Sequence, residues 1–258
     1  MKRRINSLMI IVVFISNCTP AGSAISDFTA EMYSICTFDN EYSLQDWSNT
    51  TADIETLNAA LEILDSSELS NSDMAFKGQC LTKLKEVSEA EDVVTRVLDQ
   101  ESNNLEALLI SGRIALFQQK YGKAIDEFQS VIEINPYDFT SYYLLSIAYQ
   151  NVSNIDASLE IIQFAVQQAE SIFGASESGL VELRPDEELI YARYADLLFY
   201  LESDDEAAAA LIHALDRNKL SEILFEKLYD HYIEMSMYQE IEVLRSEYCQ
   251  FNLSEHCG

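Results

Sequence analysis

Cysteines, histidines and clustered carboxylates are the side chains in this 258-residue chain whose spacing could support chemistry. Cys249, His256 and Cys257 lie close enough to begin a zinc site, but a structural zinc needs four ligands and the chain has no CxxC pair to complete it. His213 and His231 fall on expected helices without a partner four residues away, so they read as surface or satisfied helix residues rather than ligands. Glu177, Glu182, Asp186, Glu187 and Glu188 cluster in one segment, and hard cations prefer oxygen ligands. Asp204 and Asp205 open an expected helix, where carboxylates stabilise exposed backbone N–H groups without doing acid/base work. No nucleophile elbow, phosphate loop or HExxH motif occurs. The expectation is therefore a chain with no catalytic residue, no metal site and no cofactor. The alternative is a soluble periplasmic protein with an acidic, cation-binding insertion or an enzyme-accessory role.

The first residues set the compartment. Lys2, Arg3 and Arg4 precede the apolar run from Leu8 to Ile15, a charged start and a short hydrophobic stretch that read as a secretory signal over residues 1–17. Eight apolar residues reach about 12 Å as a helix, well short of the ~30 Å hydrocarbon core, so the segment does not read as a membrane span. Ile15-Ser16-Asn17-Cys18 resembles the bacterial lipobox, although Asn17 stands where that pattern has Gly, Ala or Ser. The resemblance implies acylation of Cys18. With Thr19 rather than Asp following, it also implies an outer-membrane lipoprotein facing the periplasm. Cleavage after Gly22-Ser23-Ala24 is the alternative and leaves a soluble periplasmic protein. Either way Cys36, Cys80, Cys249 and Cys257 meet an oxidising compartment as an even set. Four thiols allow three pairings, of which the short Cys249 to Cys257 spacing favours a closed C-terminal loop with Cys36 clipped to Cys80.

Composition narrows the function class. Sixteen Lys+Arg against 44 Asp+Glu give a formal charge of −28, and no basic cluster exists beyond the signal, so nucleic acid is excluded as a partner. The dispersed charge suits either a solvated, salt-tolerant surface or attraction to a basic partner. Seven Gly and three Pro are too few for an all-β fold built from tight turns, while 48% hydrophobic residues suffice for a core.

The elements that position side chains are set by a period of 34. In Leu105 to Asp138, Gly112 and Ala124 lie twelve apart, Tyr121 and Phe128 bracket the second, and Asn135-Pro136 closes the unit. Stepping by 34 aligns Gly78, Gly112 and Ser146, and in a second series Ala90, Ala124 and Ser158. Bulky positions follow: Met74, Leu108 and Tyr142, then Leu98, Ile132 and Val166. After about fifteen extra residues near 171–186 the register resumes with Tyr191, Ala195, Ala207, Leu211 and Ala214, and it ends in a degenerate unit carrying Tyr229 and Ile241. This pattern resembles the tetratricopeptide repeat, a 34-residue helix pair. The resemblance implies an all-α helical-hairpin solenoid, an alpha-alpha superhelix, over residues 71–253, in which small residues let paired helices approach closely. Expected pairs are 71–84 with 87–100, 105–118 with 121–134, 139–152 with 155–170, 188–201 with 204–217, and 221–235 with 238–250. Ser153-Asn154, Ser203-Asp204 and Ser236-Met237 are expected as the turns within pairs, with polar caps in the first two. Residues 51–70 read as a capping helix, 18–50 as a tether and 254–258 as a tail.

In the family that this resembles, first helices line a binding groove. Carried over by repeat position, the groove residues are Leu109, Arg113, Leu116 and Phe117, then Tyr143, Ile147 and Asn151, then Ala192, Asp196, Phe199 and Tyr200. Arg113, Asn151 and Asp196 would orient a peptide among apolar neighbours. Inter-repeat packing also uses Tyr and Phe, and it is the plainer reading of the aromatics. Ala75, Gln79 and Lys83 do not supply the Lys/Asn set that clamps a C-terminal carboxylate in chaperone-binding relatives. The function implied is an exported, lipid-anchored adaptor in cell-envelope assembly. Its partner would be a protein or peptide segment of basic or apolar character, and its membrane contact would run through the anchor only.

Overall fold

The computed structural model describes residues 54–65, 69–174, 185–219 and 221–250. Among them are eleven helices and no strand: α1 Ile54–Asp65, α2 Asn71–Lys83, α3 Val87–Gln100, α4 Leu105–Phe117, α5 Tyr121–Ile134, α6 Phe139–Asn151, α7 Ile155–Gly174, α8 Pro185–Tyr200, α9 Asp204–Arg217, α10 Glu222–Glu234 and α11 Tyr238–Tyr248. The ten helices from α2 onward follow the five expected pairs closely, with the main differences beside the insertion. There α7 continues to Gly174, and α8 opens early on Pro185, a residue suited to a first turn whose N–H has no partner.

Helix starts recur in register. Ser70 caps α2 in a reciprocal box with Asp73, its Oγ accepting from the Asp73 N–H at 3.2 Å while the Ser70 N–H donates to Asp73 Oδ2 at 3.1 Å. Asn104 accepts from the Ala107 N–H at 3.0 Å, Asp138 from Ser141 at 3.2 Å, and Ser221 from Leu224 at 3.4 Å. In the turns, Asn154 accepts from the Ala157 N–H at 3.2 Å as expected, whereas Ser203 makes no side-chain cap. Three carboxylates, Asp204, Asp205 and Glu206, occupy the first turn of α9 and meet its exposed N–H groups electrostatically instead.

The ends of the first helices are equally regular. Lys85, Gln119, Ser153, Glu202 and Ser236 all carry positive φ, between 57° and 64°, at the same place in each pair. The N–H that follows each of them reaches back to a carbonyl five residues earlier, as in Glu86 to Leu81 and Ser203 to Leu198, which closes a Schellman-type turn. None of the five is glycine, so each turn holds a side chain in a left-handed conformation that L-residues adopt at a cost.

The chain divides into two compact units, Met1–Lys120 and Tyr121–Gly258, and the division falls in the turn of the second expected pair. In the first unit, Ala75, Leu81, Ala90, Val93, Val94 and Val97 build a core with Ala107, Ile110 and Ile114. Gly78 explains its closeness: a Cβ there would sit 2.7 Å from Val94 Cγ2. In the second unit, Phe139, Tyr142, Ile162, Tyr191, Leu197, Leu211 and Leu228 belong to one core. Ser146 and Ser158 take the small positions of its first complete pair. Both are fully buried, and their Oγ atoms lie 2.8 Å apart.

Candidate partner-binding face

In the first unit, the outward side of α4 carries Leu109 and Arg113, both half-buried, and Phe117, which is 42% exposed. Leu116, expected beside them, turns inward and is buried, because it falls on the core side of the helix. Beyond α4, Gln118 donates to Glu91 Oε2 at 2.8 Å and Lys120 approaches Glu91 Oε1 at 3.4 Å, which fixes the turn to α3.

In the second unit, α6, α8 and α10 pack side by side and bring together Tyr143, Ile147, Asn151, Asp196 and Tyr200. The residue that organises this face is one that repeat position did not select. Arg193 is buried, and its Nε donates to Ser146 Oγ at 2.9 Å while Nη2 donates to Gln150 Oε1 at 2.6 Å. Burial pulls the Arg193 guanidinium below its ordinary range, and the nearby Asp196 and Tyr143 act in the opposite direction. The signal for it lay in the paired serines. Where glycine and alanine give way to hydroxyls, a buried donor or acceptor has to follow.

The three polar residues expected to orient a ligand are differently engaged. Asn151 is exposed, but its amide donates to the Ile147 carbonyl at 2.9 Å within its own helix. Asp196 accepts from Lys227 Nζ at 2.6 Å across α8 and α10, and Arg113 stands in the first unit. Ala192 is buried and contributes packing only. Phe199 is half-buried and stacks on His231 with centroids 4.4 Å apart. Tyr200, 64% exposed, is the most open aromatic of the set, with Tyr143 and Ile147 half-buried beside it. The face is thus apolar and aromatic, crossed by one ion pair and underlain by one buried cation.

The acidic insertion is tied inward where it is described. Glu187 is buried 3.9 Å from Arg217 Nη2, and Glu188 accepts from Ser221 Oγ at 2.7 Å and from Asn218. Burial raises the Glu188 carboxyl against these two hydrogen bonds, which lower it. Arg217 also donates to Glu170 Oε1 and to the Tyr191 hydroxyl, both at 3.0 Å, while His213 lies 3.1 Å from Glu170. These carboxylates bind α8 to α9 and α10 rather than opening toward a cation; Glu177 and Glu182 lie outside the described residues.

Cys80 is buried on α2 against Ala60 and Leu64, and Cys249 follows α11 as its C-cap; neither is a free thiol. Cys18, Cys36 and Cys257 lie outside the described residues. No described helix is long and apolar enough to cross a membrane.

No family model matches the chain, and no curated protein matches it in sequence. Solved structures do match. TTC0263, a thermophilic TPR protein of Thermus thermophilus, aligns with a TM-score of 0.53 at 12% identity, over 69% of this chain and 89% of that one. "MamA 41-end from Desulfovibrio magneticus RS-1" aligns at 0.49 and 19% over 77% and 99%, and "YrrB: a TPR protein with an unusual peptide-binding site" at 0.46 and 13% over 75% and 92%. With left-handed turns spaced 34 residues apart on either side of one insertion, stacked helix pairs and small residues where paired helices meet, the fold of this chain is that of the tetratricopeptide-repeat proteins.

Proposed function

We propose that this protein is an exported, lipid-anchored adaptor that holds a segment of a protein partner during cell-envelope assembly and catalyses no reaction. The observation that carries the binding part is the first-helix face of the second unit, where Tyr200 is exposed and Tyr143 and Ile147 are half-buried beside it, although each sits on a helix with a well-filled core side. A repeat that needed Tyr200 only for packing would bury it as it buries Tyr142 and Tyr191. Phe117 in the first unit extends the same positional rule.

The export reading rests on the basic start, the short apolar run and Cys18. It makes Cys36–Cys80 and Cys249–Cys257 the disulfides, each closing a segment within one unit and contributing about 2–4 kcal/mol. Mass spectrometry of the mature N-terminus tests it: an acylated Cys18 supports the anchor, and an end at Ile25 replaces it with the soluble periplasmic form.

For the binding face, a photoreactive phenylalanine analogue at Tyr143 or at Tyr200 should form one dominant protein adduct in intact cells. The same analogue at exposed Gln167 on α7 should not. Equal adducts at all three sites would remove the assignment.

A further inference from the structure

We infer a second docking surface on the turn edge of the second unit, fitted to a basic amphipathic segment of a protein. The three turns that join α6 to α7, α8 to α9 and α10 to α11 share one backbone geometry, and α6, α8 and α10 pack in succession. Residues at one turn position therefore line up along one edge. The position before each left-handed residue holds Val152, Leu201 and Met235, which are 45%, 43% and 54% exposed, and Tyr238 at the start of α11 adds a ring that is 68% exposed. An apolar side chain at the same exposed position of three successive turns makes a ridge rather than a scatter of single contacts.

The ridge is bordered by one sign of charge. Glu202 occupies the left-handed position of the middle turn, Asp204, Asp205 and Glu206 follow it, and Glu240 stands in the first turn of α11. No Lys or Arg occurs within residues 197–212 or 228–244, the segments that form the last two turns. The second unit as a whole has 26 Asp+Glu against seven Lys+Arg, and Arg193, Arg217 and Lys227 are spent on Ser146 and Gln150, on Glu170, and on Asp196. Anionic lipid and nucleic acid are repelled by such an edge, and a second copy of the chain brings the same charge to it. What complements it is a segment that pairs apolar anchors with Lys or Arg. The first unit lacks this surface: its turns read Leu84-Lys85 and Gln118-Gln119-Lys120, with Leu84 half-buried and Lys85 and Lys120 exposed.

The test uses the full mature chain and a fluorescein-labelled helical peptide of alternating Leu-Lys-Lys-Leu blocks, read by anisotropy at low and moderate salt. Saturable binding that falls at least tenfold in Leu201→Ser/Met235→Ser, and several-fold with a weaker salt dependence in Asp204→Asn/Asp205→Asn, is expected. Both variants should keep the circular dichroism of the parent. Tyr143→Ala, on the first-helix face, should bind the peptide as the parent does, which separates this edge from the face proposed above. Equal binding by the parent and Leu201→Ser/Met235→Ser, or loss in Tyr143→Ala alone, overturns the inference and leaves the first-helix reading standing. Tighter association with vesicles of anionic phospholipid than with the peptide also overturns it.

Discussion

The first pair of the first unit and the first complete pair of the second unit meet the same geometric demand in opposite ways. In α2 and α3, Gly78 lies against Ala90 and Val94 with no room for a Cβ, and the side chains that meet there are apolar. In α6 and α7, Ser146 and Ser158 sit at the same repeat positions as a buried hydroxyl pair, and Arg193 from α8 completes their hydrogen bonding. A steric contact ties two helices together. A polar one of this kind ties in a third, because the buried donor has to come from somewhere, and here it comes from the next repeat.

The largest expected effect follows from that difference. Arg193→Ala should destabilise the protein by about 3 kcal/mol, through the lost volume and the loss of charge-assisted hydrogen bonds to Ser146 and Gln150. Urea denaturation measures it, and a change under about 1 kcal/mol would mean that the serine pair stands without its cation. Gly78→Ala should cost about 1–2 kcal/mol even though alanine is the better helix former, since the new methyl meets stiff Val94. Val94→Ala should recover part of that loss in a double-mutant cycle, and strict additivity would contradict the close approach.

Smaller effects sharpen the comparison further. Burial raises the Glu188 carboxyl in the folded state, so its contribution to stability is present below its ordinary range near 4.5 and is lost as pH rises through the raised value. Glu188→Gln should remove that loss, so that the variant gains on the parent as pH rises from about 4.5 to 7. Thermal unfolding at the two pH values checks the sign. Glu202→Gly relieves a left-handed residue and should stabilise by about 1 kcal/mol or less. Gly at Gln119 should do the same, because the turn is common to both units.

Much of this fold was legible in the sequence because one physical rule repeats. Small residues twelve apart must face each other across a helix pair, and the 34-residue step marks Gly78 with Ala90 and Ser146 with Ser158 in the chain itself. The left-handed turns were not, since Lys85, Gln119, Ser153, Glu202 and Ser236 include no glycine or asparagine to announce them. The face was legible as a set of positions but not as a set of partners. Asn151 folds back onto its own helix and Asp196 is taken by Lys227, and neither choice follows from spacing along the chain. Arg193 escaped because a family rule about groove positions says nothing of a cation one step inside them.

The central claim, that the first-helix face of the second unit holds a protein partner, is tested most directly by affinity. Once crosslinking at Tyr143 or Tyr200 has identified the partner, its dissociation constant is measured by titration calorimetry for the parent and for Tyr143→Ala/Tyr200→Ala, with helicity followed in parallel. Binding at least tenfold weaker at unchanged helicity is the result predicted here; equal affinity in the two proteins would contradict it.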